Sequence, residues 1–203
     1  MNIPYHIHII DDDTSVRSAC GFLMDALGHP HHSWEHGAAF LQQAPLHQAA
    51  VALLDLRMPL LDGEQVLQAL QAQHSCIATI VLTGHGDVAT AVRLLKQGAV
   101  DFLLKPIQAE PLQQAIANAG QQALKLQQLH LWRQCEHSLS PKEQHLMALL
   151  VQGMTNKDMA AQLCVSQRTI EVHRAKLMHK LGCEHVAQLV HIYWQLHPQA
   201  QFN

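Results

Sequence analysis

The sequence has few charged residues and no long apolar run. Charged side chains make up 14% of the 203 residues and hydrophobic ones 48%, which excludes a disordered chain and supplies material for packed cores. No segment approaches the ~18 uninterrupted apolar residues of a membrane span. The N-terminal stretch runs into Asp11, Asp12 and Asp13 without the basic and long apolar regions of a secretory signal. We therefore expect a cytoplasmic protein with no membrane partner.

Paired cysteines are also lacking. The five cysteines are scattered and never in C-x-x-C spacing, which is typical of a reduced compartment and not of a disulfide framework or zinc site. No G-x-G-x-x-G follows the first apolar run, so a dinucleotide enzyme is excluded. Histidine is abundant, with 17 residues. A metal site at His6 and His8, or around His31, is one interpretation, but without firm ligand spacing a preference for surface histidine is the simpler one.

Charge is distributed unevenly along the chain. Residues 1–120 carry 11 acidic and 5 basic side chains, whereas residues 121–203 carry 5 acidic and 8 basic ones. An acidic front and a basic rear indicate two domains with different partners, and the basic rear is compatible with nucleic acid.

The front half alternates between short apolar runs and helical spacing. Strands are predicted at His6–Ile10, Val51–Leu54, Ile77–Leu82 and Val100–Leu104, with a weaker one near His31–Glu35, and helices at Ser15–Leu27, Gly63–Ala72 and Val88–Gln97. This alternation predicts a doubly wound α/β domain, in which helices cover both faces of a parallel sheet.

The rear half is predicted to be all-helical. From Glu110 to Arg133 the chain is rich in Gln, Ala and Leu; it reads as a helix that runs on into a linker, although a flexible tether after about Gln121 is a competing interpretation. Four further helices follow: one capped by Ser140 and ending near Gly153, one capped by Thr155 and ending near Leu163, one capped by Ser166 and ending near Gly182, and one over about Glu184–Leu196.

Polar residues stand at the carboxyl ends of four predicted strands. They are Asp11 and Asp12, Asp55, Thr83, and Lys105, and in a parallel sheet these ends converge on one edge. Clustered carboxylates need a cation, and an oxygen-rich site suits Mg²⁺. One carboxylate could then attack a phosphoryl group, with the lysine and the threonine hydroxyl contacting its oxygens.

The pattern Asp11-Asp12, Asp55-Leu56-Arg57-Met58-Pro59 with Gly63, Thr83-Gly84 and Lys105-Pro106 resembles the receiver domain of response regulators. The resemblance covers about residues 5–120 and implies a flavodoxin-like five-stranded sheet of order 2-1-3-4-5. It implies that Asp55 is the phosphoacceptor and that Asp11, Asp12, Asp55 and the backbone carbonyl of Arg57 hold Mg²⁺. Thr83 and Lys105 would sense the phosphoryl group, Phe102 would turn inward as the switch, and Lys105-Pro106 would be a cis peptide. Arg57 and His85 would border the phosphate.

The segments Leu139–Glu143, Gly153–Lys157, Val165-Ser166, Thr169–Arg174 and Lys180–Gly182 resemble the LuxR-type helix-turn-helix DNA-binding domain. The whole chain is therefore similar to the NarL/FixJ family, with a receiver at 1–120, a linker helix at 121–137 and a four-helix DNA-binding domain at 138–203. By resemblance, Glu171, Val172 and Ala175 would face base edges, whereas Lys157, Thr169, His173, Arg174 and Lys176 would contact phosphates.

The resemblance implies a transcriptional regulator and not an enzyme, apart from phosphorylation and dephosphorylation of its own Asp55. A sensor histidine kinase or a small acyl phosphate would phosphorylate Asp55, and the homodimer would bind promoter DNA and act on RNA polymerase. Two alternatives are an Asp-nucleophile phosphatase, which would want an Asp where Arg57 stands, and a DNA-binding protein with a vestigial receiver.

Overall fold

The computed structural model describes residues 5–84 and 88–198. The chain divides into two compact units, Met1–Gln128 and Leu129–Asn203, which are described separately. Within the described residues, no helix has the length and apolarity needed to cross a membrane.

Five parallel strands form the centre of the first unit. They are β1 (His6–Ile10), β2 (His31–Trp34), β3 (Ala50–Asp55), β4 (Ile77–Thr83) and β5 (Asp101–Leu104). Their order is β2-β1-β3-β4-β5 and each pairing is parallel, which confirms the doubly wound α/β fold and the predicted order. β3 is one residue longer at each end than predicted, and β5 starts one residue later. The buried strands β3 and β4 are almost continuously apolar, as expected for strands covered on both faces.

Helices pack on both faces of this sheet. They are α1 (Thr14–Leu27), α2 (Gly37–Gln43), α3 (Gly63–Ala72), α4 (Val88–Lys96) and the first part of α5 (Ala109–His137). One face buries Ile7, Val51 and Ile80 with α1 and α5, and the other buries Leu54 and Val81 with the remaining helices. The short helix α2 is absent from the sequence predictions, because its seven residues are too few to show helical periodicity.

Helix α5 is continuous over 29 residues. Its first half buries a stripe made of Leu112, Ala115, Ile116, Ala119 and Ala123 in the core of the first unit. Its last turns carry Trp132 and Cys135, which pack against the core of the second unit. Residues 121–137 are therefore helical throughout.

The second unit contains α6 (Pro141–Val151), α7 (Asn156–Gln162), α8 (Gln167–Lys180) and α9 (Val186–Leu196). Ser140, Thr155 and Ser166 accept backbone N–H groups at the starts of α6, α7 and α8, as their positions in the sequence predict. The core of the unit buries Leu146, Met159, Ile170, Leu177 and Leu189, among others, so all four helices contribute to it.

Candidate functional site

The carboxyl edge of the sheet brings three carboxylates together. Asp11 and Asp12 follow β1, and Asp55 ends β3; one oxygen atom from each lies within 4.8 Å of the others. Asp11 is fully buried and Asp55 is 6% exposed, whereas Asp12 is exposed. Thr83, buried at the end of β4, lies at the same edge. The residues predicted from the ends of β1, β3 and β4 therefore do converge.

Lys105 lies between two of these carboxylates. Its Nζ atom donates to Asp11 Oδ2 at 2.6 Å and to Asp55 Oδ1 at 2.7 Å. Burial raises the pKa of Asp55 above its ordinary value, and the Lys105 ammonium opposes that rise. Burial acts to lower the pKa of Lys105, but the hydrogen bonds and the negative charges of Asp11 and Asp55 together outweigh it and raise that pKa. The peptide bond that follows, Lys105-Pro106, is cis.

Backbone groups hold the carboxylates in place. Asp55 Oδ2 accepts the backbone N–H of Arg57 at 2.9 Å, and Asp11 Oδ1 accepts that of Asp13 at 3.0 Å. Gly63 allows the loop after β3 to fold back closely, since a Cβ at this position would overlap the carbonyl oxygen of Asp55. The position of the Asp55 carboxylate therefore depends on a glycine eight residues away in the sequence.

The donor set fits a hard divalent cation. Three carboxylates supply oxygen ligands, which Mg²⁺ prefers, and only Asp12 is exposed to water, which such an ion usually retains as a ligand. No histidine or cysteine belongs to this cluster, so the residues do not favour a softer metal. The acidic pocket thus has the composition expected for Mg²⁺.

A cavity of about 560 Å³ lies beside Thr83. It is lined by Leu56, Arg57, Met58, Asp62, Glu64, Thr83, Thr90 and Arg93. At this cavity, Arg93 of α4 donates to Glu64 of α3 at 2.6 Å. Sequence reasoning missed this ion pair, because its partners lie 29 positions apart on helices whose relative placement the pattern does not fix.

The candidate switch residue lies behind this edge. Phe102 is half-buried, pairs with Val81 across β4 and β5, and packs against the core on the side of α3 and α4. His85, expected to border the phosphate, lies outside the described residues.

The candidate DNA-reading helix is α8. Its buried side carries Ile170 and Leu177. The residues predicted to contact DNA differ in how far they are exposed to solvent. Exposed are Glu171, Val172, His173, Ala175 and Lys176, together with Lys157 on α7, whereas Thr169 and Arg174 are half-buried. Val172 is 42% exposed, so it faces solvent and not the core.

Two arginines of α8 have different surroundings. Arg174 donates through Nη1 to Asn156 Oδ1 of α7 at 3.2 Å. Arg168, which the sequence predictions did not include, has a side chain 85% exposed, and its Nη1 lies 3.6 Å from Glu171 Oε2. Its position in the first turn of a recognition helix is the feature from which it could have been predicted.

Two family models match the chain. Residues 7–117 match the model described as response regulator receiver domain. Residues 137–193 match that of bacterial regulatory proteins, luxR family. Together the two models span most of the described residues, one in each unit.

Individual proteins agree with these matches over nearly the whole chain. The tetrathionate response regulatory protein TtrR of Salmonella typhimurium is 45% identical over 187 residues, covering 91% of this chain and 89% of that protein. The transcriptional regulatory protein FixJ of Bradyrhizobium diazoefficiens is 38% identical, covering 92% and 93%. Among solved structures, the response regulator StyR has a TM-score of 0.69 at 31% identity, covering 94% of this chain and 98% of that one. Full-length FixJ from B. japonicum has a TM-score of 0.54 at 36% identity, covering 98% of each.

Proposed function

This chain belongs to the NarL/FixJ family of two-component response regulators, which join a receiver domain to a LuxR-type DNA-binding domain. On that premise, we propose that phosphorylation of Asp55 controls the binding of this protein to promoter DNA. A two-component transcriptional regulator needs a sensor histidine kinase as donor and DNA as target. The observation that carries the proposal is the cluster of Asp11, Asp12 and Asp55 with Lys105 bridging two of them.

In the proposed reaction, an oxygen of Asp55 attacks the phosphorus atom of the donor. A P–O bond to Asp55 forms while the bond from phosphorus to the kinase histidine nitrogen, or to the acyl oxygen of a small donor, breaks with its electron pair leaving on that atom. Lys105 already lies 2.7 Å from an oxygen of Asp55, so its ammonium is placed to contact a phosphoryl oxygen. Thr83 supplies its hydroxyl to another.

The acidic residues would hold Mg²⁺ during this transfer. Asp11, Asp12, Asp55 and the carbonyl of Arg57 are the proposed ligands, and the ion, when bound, neutralises charge on the phosphoryl group. The backbone of this chain contributes as well, since the N–H of Arg57 holds Asp55 Oδ2. The proposed attacking oxygen is then Oδ1, which Lys105 contacts.

Phosphorylation would act on the region around α4 and β5. Thr83 and Phe102 are the proposed switch, and a phosphoryl group must favour the active state by about 5 kcal/mol to shift the population nearly fully. Val92, Leu95 and Leu104, on α4 and β5, expose 45%, 41% and 52% of their surface. We propose that these three residues form the dimer contact of the phosphorylated receiver.

In the dimer, two copies of α8 would enter successive major grooves of a two-fold-related site. Glu171, Val172 and Ala175 are the proposed base-edge contacts. The proposed phosphate contacts are Lys157, Thr169, His173, Arg174 and Lys176. The bound dimer would then change transcription through RNA polymerase.

The test is the intact mass of the full chain after incubation with acetyl phosphate and Mg²⁺. We expect one added phosphoryl group on the wild type and none on Asp55→Asn, which is nearly isosteric and retains the fold. Beryllofluoride, which mimics the phosphoryl group, should raise the light-scattering mass of the wild type to that of a dimer and leave Asp55→Asn monomeric. An adduct on Asp55→Asn would place the phosphoacceptor elsewhere. If the wild type neither gains mass nor dimerises, the receiver is vestigial.

A further inference from the structure

The solvent-facing side of α8 can be defined from its buried side. Ile170 and Leu177 face the core, and with 3.6 residues per turn the opposite side carries positions 168, 172, 175 and 179, with 171 and 176 at its two margins. Arg168 lies roughly 40° round the helix from Val172, nearer to the centre of this side than Glu171 does. The side that would enter the groove therefore begins with an arginine.

Arg168 occupies the second position of α8, after the N-cap Ser166. Residues at the N-terminal end of a recognition helix are the ones that reach base edges. The Arg168 side chain is 85% exposed, so it can extend into a groove without breaking contacts to the core. Its place in the first turn distinguishes it from the other cations of α8, which lie further along the helix.

Glu171 is the ion-pair partner of this arginine. The two side chains form an i,i+3 ion pair of 3.6 Å, with Glu171 51% exposed. In solution such an exposed pair contributes little to stability. Next to DNA the same ion pair would matter in another way. With the Glu171 carboxylate on one edge of the guanidinium, the remaining N–H groups of Arg168 are directed away from Glu171 and are available to a base.

Arg174 differs from Arg168 in its exposure to solvent and in its partner. Its side chain is half-buried and one of its N–H groups donates to Asn156 of α7. This hydrogen bond joins the two helices of the helix-turn-helix, so Arg174 acts as a positioning residue for α8. It serves as the matched control, since both arginines carry the same charge on the same helix.

From these observations we infer that Arg168, oriented by Glu171, is a specificity-determining residue that reads a guanine in each half-site. This inference rests on the proposed DNA-binding function. Arg offers two parallel N–H donors to the O6 and N7 atoms of guanine, and a good bidentate pair of this kind discriminates about 10- to 100-fold against the wrong base.

The experiment is selection from a randomised duplex library by the beryllofluoride-treated full chain, followed by anisotropy measurements on the selected site at several salt concentrations. The variants are Arg168→Gln, Glu171→Gln and Arg174→Gln. Arg168→Gln should lose the preference for one G·C pair per half-site by about 10- to 100-fold. Glu171→Gln should weaken the preference at that same pair, in addition to any change at the base pair that Glu171 itself contacts. Arg174→Gln should weaken binding to all sequences alike and leave the selected motif unchanged.

Three results would overturn the inference. Suppose that Arg168→Gln selects the wild-type motif, but the plot of log binding constant against log salt concentration becomes less steep by about 0.9 per arginine. Arg168 then contacts a phosphate. If Glu171→Gln alters only a different base pair, Glu171 reads its own base and does not orient Arg168. If the wild type enriches no sequence, the proposed function fails together with the inference, whereas the first two results leave that function intact.

Discussion

Lowering the pH should destabilise the first unit through one buried histidine, His8. The side chain is 3% exposed, its Nδ1 accepts the indole N–H of Trp34 at 3.2 Å, and within the described residues its Nε2 has no hydrogen-bond partner. Rings of His6, Trp34 and Phe40 surround it. Protonation would put a hydrogen atom on Nδ1 opposite the indole N–H. Burial, and then the nearby His6 and His32, lower the pKa of His8 to about 4.

The sign and size of the effect follow from linkage. In the unfolded chain the histidine takes up a proton below its ordinary pKa of 6.5, whereas in the folded chain it stays neutral until about 4. The stability that this group contributes is therefore present above pH 6.5 and is lost as the pH falls toward 4. A difference of about 2.5 pH units at ~1.36 kcal/mol per unit gives about 3 kcal/mol, of which about 2 kcal/mol is lost by pH 5.

The assay is urea unfolding at pH 7 and pH 5, followed by Trp34 fluorescence in a background carrying W132F and W194F. His8→Asn is the informative variant, because its amide oxygen can still accept the indole N–H and it does not titrate. We expect the free energy of unfolding to fall by about 2 kcal/mol less in His8→Asn than in the parent. The exposed His179→Asn, in the second unit, should behave like the parent. Parallel losses in the parent and His8→Asn would refute a neutral, buried His8.

Three substitutions test other parts of the structure. Gly63→Ala should lower stability by more than about 2 kcal/mol and slow phosphorylation, because its Cβ overlaps the carbonyl of Asp55; an unchanged urea midpoint would contradict this packing. Leu177→Ala, at a fully buried site, should cost about 2–5 kcal/mol and abolish DNA binding while intact-mass phosphorylation persists. Ser166→Ala removes the acceptor of the Thr169 N–H and should lower the thermal stability of the second unit by about 1 kcal/mol; equal melting curves would exclude a capping role.

The fold of the first unit is readable from the sequence because its strands are buried on both faces. The run Ile77–Leu82 is apolar except for the buried Thr79, and the polar residue that follows such a run stands out from that background. Asp55 and Thr83 could be assigned to one edge from topology alone, since parallel strands end on the same side. Local sequence was sufficient for this part of the site.

Contacts between helices could not be predicted in the same way. Arg174 was expected to contact phosphate on the basis of charge and position, but the structure adds a hydrogen bond to Asn156, 18 positions away. Arg93 of α4 and Glu64 of α3 likewise form an ion pair between two helices. Helical spacing shows which face of a helix is apolar, but the rotation and distance of two helices depend on how all their side chains pack. Side-chain partners on neighbouring helices therefore require coordinates.

The charges of the acidic pocket indicate where a phosphoryl signal would first act. Lys105 offsets part of the negative charge of both Asp11 and Asp55, and both carboxylates are almost wholly buried. Loss of this partner would therefore leave a buried, unpaired charge, at a large cost in the free energy of folding. In the proposed mechanism, phosphorylation of Asp55 to an acyl phosphate removes one carboxylate charge and adds a phosphoryl group with two anionic oxygens at the same position. Lys105 can then exchange Asp55 for a phosphoryl oxygen while it keeps Asp11. This exchange takes place at the end of β5, the strand that also carries Phe102 and Leu104. A shift of Lys105 would therefore act directly on the region proposed for dimerisation.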